Sequence, residues 1–505
     1  MDPEQQDELL LPSLIHPLKL FDIARAQGRL LYASAPMVRY SKLAFRQTVH
    51  YFGTDLCWTP MILAKEFNRS SVARDSDLTI ASWPPSPAGG VSAAAVGGDG
   101  TPSPHSLAPW SQPPTIAQFG ANSPLELSRA ASLAAPFVNG VDINCGCPQS
   151  WACAATLGAA LMDRRELVRD MVVATRERLA RDGWAVDHPA PYRPSAVGSH
   201  AGGDPDGGDD PLGPGRGRGR SISVKIRVHA DLRRTLDFVT AVVGDPLRRN
   251  VDFITVHPRT RRTPSSAPVD LEALAVLTST FGPQLPVVVS GDVFAPLSAL
   301  PYTTFSSAPP VVPPHPAASG AETSSLREQA GEAKPHLPHL AGLMSARALL
   351  ANPALFAGAD ACPWSAVDVF LANVARAPLP LKLAVHHLTE MCGPGYYHRP
   401  RPPQNARRPP ARSRTSPQAP DDGGVEGGST NGGVAEGEDE DEDGEAGAGR
   451  DDPEVAGARG PRPALLSKKE RAHLTGLRSW IDVLDYVDEA RRQRDPGSGG
   501  VVRYA

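Results

Sequence analysis

Short apolar runs bounded by Gly, Pro, Asn or Asp recur along the chain, and they set its architecture. Leu30–Pro36, Asp55–Ile62, Thr115–Gly120, Val141–Asn144, Ser221–Val228, Val251–His257, Pro286–Ser290 and Leu340–Arg347 read as strands. Between them the apolar period lengthens towards that of a helix. Ser41–Tyr51 fits one helix, and Ser123, Pro124 and Glu126 open another as N-cap, first-turn proline and capping-box partner. Asp163 and Glu166 signal a third, with Leu167, Val168, Met171, Val172, Thr175 and Leu179 as its buried stripe. Eight strands separated by helix-length segments predict an α/β fold, a (β/α)₈ TIM barrel over residues 30–360. Residues 1–29 are expected to be a short lead-in, with Asp22–Gly28 running into the first strand.

Beyond Asn352-Pro353 the pattern becomes all-helical, and residues 361–490 are expected to form a second, helical domain followed by a tail over 491–505. Val367–Ala375 and Leu381–Met391 are its first helices. One long final helix is predicted from a capping box of Ser467 and Glu470, with Leu474, Leu477, Trp480, Ile481, Leu484 and Val487 on its apolar face. Lys468, Lys469, Arg471 and Arg478 lie largely outside that stripe. Such a cluster reads first as a solvated face and second as a phosphate contact.

Composition changes this picture in one respect. The 505 residues include 46 Gly and 53 Pro, concentrated in stretches with no apolar period. Residues 82–114, 187–220, 305–338 and 399–463 are therefore expected to be long disordered insertions. The formal net charge of −4 hides a tract from Asp421 to Glu454 with 14 acidic residues and one Arg. The rest of the chain is net positive, partly through an arginine-rich tract from Arg399 to Arg414. That balance permits a nucleic-acid partner without requiring one. Six cysteines in so long a chain do not make a disulfide framework, and a reducing compartment suits them. The acidic N-terminus has no signal-peptide pattern, and no run is long and apolar enough for a bilayer. A soluble monomer with no membrane association is expected, in the cytoplasm or also the nucleus.

The candidate chemistry sits in VDINCGCPQSW, residues 141–151. Gly146 and Pro148 break the fourth strand and hold Cys147 on a turn at its end. Taken alone, Cys145 and Cys147 are better read as small packing residues. The barrel shifts that balance, because residues just past the C-terminal ends of its strands share one face, and that face carries the active site. Met37, Gln118, Cys147, Lys225, His257, Gly291 and Arg347 all fall at or near such ends. A lone Gln, Lys or His there is usually just solvated; seven in phase are harder to dismiss. A metal site on Cys145, Cys147 and Cys153 has no second pair at zinc spacing, so no metal is expected.

In order along the chain, APM (Ala35–Met37), QFGAN (Gln118–Asn122), DINCGCP (Asp142–Pro148), VKIR (Val224–Arg227), TVHPRT (Thr255–Thr260), SGDV (Ser290–Val293) and LMSARALLANPALFAG (Leu343–Gly358) resemble the tRNA-dihydrouridine synthase family. With the insertions removed, the resemblance covers most of the chain. The closing helical stretch resembles the eukaryotic subgroup acting on D-loop positions 20a and 20b.

The resemblance implies an FMN bed. Pro36, Met37 and Val38 would lie along the flavin ring, and Gln118, Lys225 and His257 would contact it. Ser290, Gly291 and Asp292, with Ala346 and Arg347, would hold its phosphate, in keeping with barrel phosphate sites after strands seven and eight. It also implies that Asn144 meets the substrate uracil, that Arg259 and Thr260 lie near RNA, and that the helical domain grips tRNA. NADPH or NADH would reduce the flavin, hydride would pass to uracil C6, and Cys147 would give a proton to C5. Three positions depart from the family pattern: Pro258 for Gly, Ser290 for Asn and Ala348 for Gly. The rival readings are an FMN-dependent ene-reductase-like or dihydroorotate-dehydrogenase-like barrel acting on a small molecule, and a tRNA-binding homologue with impaired catalysis. A free small substrate gives no reason for a basic helical domain.

Overall fold

The computed structural model describes residues 15–79, 112–184, 219–246, 248–293, 336–337, 339–395 and 464–494. These fall in one compact unit. The tract 399–463 and most of every other expected insertion lie outside the described residues.

Eight parallel strands close a barrel in chain order. They are β1 (Leu31–Ser34), β2 (Leu56–Leu63), β3 (Thr115–Gly120), β4 (Gly140–Cys145), β5 (Ser221–Arg227), β6 (Phe253–His257), β7 (Val287–Ser290) and β8 (Leu340–Ser345). Strands buried on both faces read as nearly continuous apolar runs, which is why each was visible in the sequence. The eighth strand stops at Ser345, so Arg347 opens a helix instead of ending a strand.

The helices in chain order are α1 (Pro17–Ala26), α2 (Leu43–Tyr51), α3 (Ala64–Arg69), α4 (Ser71–Asp77), α5 (Pro124–Ala134), α6 (Ser150–Ala154), α7 (Arg165–Arg181), α8 (Leu232–Val243), α9 (Leu271–Phe281), α10 (Arg347–Ala351), α11 (Trp364–Arg376), α12 (Leu381–Met391), α13 (Lys468–Gly476) and α14 (Trp480–Arg494). Among these described helices none is long and apolar enough to cross a membrane.

Several local expectations need correction. The lead-in contains α1, capped by the His16 ring, which accepts from Leu18 N at 3.2 Å. Leu18, Phe21 and Ala24 of α1 are buried against Leu31, Ile116 and Phe253, residues at or near the starts of their strands, so the helix closes the N-terminal end of the barrel. Ser123 caps α5, but the Glu126 carboxylate takes Asn68 Nδ2 at 2.7 Å, so the capping box is only half formed. At α7 the N-cap is Arg164, with no side-chain cap bond; Asp163 pairs with Arg234 at 2.6 Å. The predicted stripe of α7 is buried, apart from a partly buried Leu167.

The final helix is two. The capping box of Ser467 and Glu470 is present, but α13 ends at Gly476, and Leu477 turns extended with ψ 144°. The Ser479 hydroxyl then accepts from Asp482 N at 3.1 Å at the start of α14. Gly is the weakest ordinary helix former, and a serine that caps a new turn competes with continuing the old one. The break rotates Ile481 out to solvent at 72 % exposure, while Leu474, Val483 and Val487 stay buried. These helices share one hydrophobic core with α2 of the barrel, through Phe45, Val49, Phe370, Val374 and Leu388.

Candidate active site

Strand register brings the polar residues together. Gln118 of β3 pairs with Asp142 of β4, Asp142 with Ser223 of β5, Asn144 with Lys225, and Arg227 with His257 of β6. Gln118 Nε2 donates to Asp142 Oδ2 at 2.7 Å, and Ser223 Oγ donates to Asp142 Oδ1 at 2.7 Å. Asn144 Nδ2 donates to Gln118 Oε1 at 2.9 Å. Burial raises the Asp142 carboxyl to about 6, with the Gln118 and Ser223 hydrogen bonds opposing the rise. Asp142 was absent from the residues expected in the site. Its place inside β4, on the DINCGCP motif, was the only signal for it.

The Asn144 oxygen accepts from both Gly146 N and Cys147 N at 2.9 Å, which folds the chain into the turn that carries the thiol. Arg227 Nε binds Gly146 O at 2.8 Å from the neighbouring strand, and Ala159 N binds Cys147 O at 2.8 Å. Cys145 is fully buried inside β4 and packs there, whereas Cys147 is partly open. Its sulfur lies 3.7 Å from Gln149 Oε1, and that oxygen also takes Trp151 Nε1 at 2.9 Å. Partial burial pushes the Cys147 thiol up, against the opposing pull of Arg227 and Lys225. The group is therefore a protonated thiol at neutral pH, able to give a proton rather than attack as thiolate.

On the strands beside the thiol the site is cationic. Lys225 makes no hydrogen bond or ion pair among the described residues, and burial and Arg227 lower it to about 8. His257 Nε2 lies 3.1 Å from Arg259 Nη1. A guanidinium can only donate, so Nε2 is the acceptor and the remaining ring N–H is on Nδ1. Burial, then Lys225, Arg227, Arg259 and Arg347, lower His257 to about 2. It is a neutral imidazole throughout the physiological range.

Gly291 and Asp292 both take positive φ, 104° and 54°. A Cβ on Gly291 would lie 2.9 Å from His257 Cδ2, so the turn needs glycine to approach the ring. Ser290 is buried at the end of β7, and Ala346 precedes α10. The Arg347 guanidinium reaches Ser265 Oγ at 3.4 Å. In the loop after β1, Met37 N donates to Ser41 Oγ at 2.9 Å, Pro36 is half-buried, and Val38 is 50 % exposed.

The expectation for Arg259 needs revision. Its side chain is 1 % exposed, held by Asp292 Oδ1 at 2.5 Å and by Ala267 O. A guanidinium so placed holds the turn of Asp292 and has no face left for RNA. Thr260 is half-buried, with its hydroxyl on Thr263 at 2.7 Å. The exposed cations of this loop are Arg261 and Arg262, just outside the motif that drew attention to their neighbours. Of the three departures from the family pattern, Ala348 is helical and has no need of positive φ. Pro258 gives up an N–H, but its carbonyl still accepts from Asp270 N at 2.8 Å.

A flavin suits these residues. Lys225 is half-buried, burial lowers it to about 8, and it has no protein acceptor among the described residues, so an acceptor-rich ring could take its N–H groups. Lys225, Arg227 and Arg347 give the mouth the positive field that a phosphate and an electron-rich ring need.

Comparison with known proteins identifies the family. The family model for dihydrouridine synthase (Dus) matches residues 33–182. A Schizosaccharomyces pombe protein named tRNA-dihydrouridine(20a/20b) synthase, NAD(P)+, is 33 % identical over 383 residues, covering 75 % of this chain and 83 % of the relative. A Homo sapiens protein named as like that enzyme is 32 % identical, covering 70 % and 80 %. A Saccharomyces cerevisiae protein of the same name is 28 % identical, covering 72 % of each chain. With the closed barrel, the thiol turn and this extent of shared sequence, the chain belongs to the dihydrouridine synthase family.

Proposed function

We propose that the protein is a tRNA-dihydrouridine synthase that reduces the C5–C6 double bond of uridine at D-loop position 20a or 20b, with FMN as its flavin and NADPH or NADH as reductant. The names of the relatives support the reaction and the position. The observation that carries the reading is a protonated thiol, Cys147, on the turn after β4, beside the unpaired ammonium of Lys225 on the neighbouring strand β5. The reading takes the protein as a monomer acting on tRNA in the cytoplasm or the nucleus.

Bound in the mouth, FMN would relay hydride from the nicotinamide to uracil C6. Lys225 and the Nδ1–H of His257 would face its ring, with Gln118, Pro36, Met37 and Val38 as further contacts. Ser290, Gly291, Asp292, Ala346 and Arg347 would hold its phosphate. Asn144 would meet a uracil flipped out of the RNA. As C5 becomes electron-rich, Cys147 would give it a proton, with Arg227 and Lys225 favouring the thiolate left behind. A largely apolar cavity of about 600 Å³ adjoins the loop after β1, and Arg39 and Lys382 in its lining could meet the RNA backbone, with Asp75 opposing them.

The test is to map dihydrouridine in tRNA from cells lacking the gene, rescued with wild type or Cys147→Ala. Wild type should restore modification at position 20a or 20b, and the variant should not. No change at any D-loop position would overturn the function. Full restoration by Cys147→Ala would overturn the assignment of the acid.

A further inference from the structure

We propose that Asp142 is a positioning residue that fixes the hydrogen-bond polarity of the site, by orienting Gln118 to accept from Asn144, so that Asn144 presents an N–H donor, and no free acceptor, to whatever binds there. Amide side chains look alike end for end, so their orientation has to come from partners whose roles are unambiguous. Here both ends of the chain of amides are pinned. At one end the ionised Asp142 carboxylate, the form above about pH 6, can only accept, and it faces Gln118 at 2.7 Å, so Gln118 must turn its nitrogen inwards. At the other end Gly146 N and Cys147 N can only donate, and both meet Asn144 at 2.9 Å, so Asn144 must turn its oxygen to them. The single arrangement that satisfies both has Asn144 Nδ2 donating to Gln118 Oε1, at the observed 2.9 Å.

A consequence follows for recognition. The Asn144 oxygen holds two backbone donors, and the Gln118 oxygen already holds Asn144. Each amide nitrogen has made one bond and keeps one N–H. Asn144 therefore recognises a carbonyl oxygen of the base and has no free acceptor for its ring N–H. This step rests on the reading of the site as a uracil pocket; the polarity itself does not. Asp142 also explains why the thiol turn is stable, since the same Asn144 oxygen that it orients indirectly folds residues 144–147. It touches neither substrate nor cofactor and acts through Gln118 and Asn144.

The test uses the full-length chain carrying Asp142→Asn, Asn144→Asp or both, with urea stability and turnover as separate readouts. Asn144→Asp alone sets an ionised oxygen against Gln118 Oε1 and should be strongly destabilised. Asp142→Asn alone can still present its oxygen to Gln118 and its nitrogen to Ser223, so it should be mild. In the double variant the chain of amides can reverse as a whole, with Gln118 turned round and satisfied at both ends. Its folding equilibrium should exceed that of Asn144→Asp by roughly tenfold, within the range for directly coupled residues. Turnover should stay lost, because the free N–H of Asn144 is gone. A residue of general structural importance would restore both readouts or neither. Acidification should also stabilise Asn144→Asp relative to the double variant, by protonating the opposed oxygen. Additive destabilisation, with no recovery in the double variant, would overturn the proposal. A wild-type protein that binds no FMN and leaves tRNA unmodified would overturn the proposed function, while the stability comparison would still decide the polarity.

Discussion

Gly158 lies against Cys147 so closely that a Cβ there would be 2.6 Å from the Cys147 carbonyl oxygen and 2.8 Å from its Cβ. Gly158 also has φ +58°, in the left-handed region. The position therefore needs glycine twice over, once for conformation and once for space. Gly158→Ala should displace the thiol turn while leaving the phosphate turn at Gly291 untouched. The expected result is flavin content near wild type with turnover reduced roughly 10²-fold or more, the scale of losing a positioned general acid. Absorbance of bound flavin and tRNA turnover, measured on the same preparation, check this. Equal loss of both would count against the assignment.

His257 should not titrate between pH 5 and 8. Its folded pKa lies at about 2, below the ordinary 6.5, through burial and four nearby cations. With the folded value depressed, the unfolded chain takes up a proton that the native state refuses. Below about pH 6.5 this residue therefore lowers stability as pH falls. Imidazole resonances followed by NMR across that range should stay fixed for His257. His257→Gln should flatten the acid side of the stability curve.

Asp142 has the opposite sign. Its folded carboxyl is raised to about 6, so between about pH 4 and 6 the native state holds a proton that the unfolded chain has released. Its contribution to stability falls as pH rises through that window and is flat above it. Asp142→Asn should remove that component of the slope. Urea titrations of both proteins at pH 4.5, 5.5 and 7 would show it, and parallel curves would contradict it.

Gly291→Ala should weaken flavin binding before it unfolds the barrel. The added methyl would meet His257 at 2.9 Å in a backbone with φ +104°, on the turn assigned to the phosphate. A strained position of this kind costs about 1–3 kcal/mol. A flavin dissociation constant raised at least tenfold is expected, read by fluorescence titration.

Arg261 and Arg262, both exposed beside Thr260, should contribute to RNA affinity, whereas Arg259 should not. Replacing the two with Ala should raise KM for tRNA, reduce its salt dependence and leave kcat nearly unchanged. Arg259→Ala should instead loosen Asp292 and lower flavin content. An RNA-affinity loss confined to Arg259→Ala would reverse this reading.

Much of the fold was legible before any coordinates, for a definite reason. Parallel strands are buried on both faces, so each of the eight leaves an apolar run, and Gly146 and Pro148 mark where β4 must stop. The positions of Cys147, Lys225 and His257 at the barrel mouth follow from those strand ends. Local sequence was less informative where two signals competed. Apolar spacing carried the last helix past Gly476 and Ser479, where the backbone turns, and Asp163 looked like a cap but found Arg234 instead.

What only the tertiary structure decided is which polar group faces which. Gln118, Asp142 and Ser223 come from three strands, and their bonds depend on strand register, which no single stretch encodes. The family resemblance put Arg259 near RNA, on the motif TVHPRT. It is buried because Asp292, 33 residues on, returns beside it through the β6–β7 pairing. The sequence by itself determined the barrel, the thiol and the face on which they meet, since these rest on apolar periodicity and turn residues close along the chain. Burial, tautomer and amide orientation were set by contacts between distant residues, and those exist only once the barrel has closed.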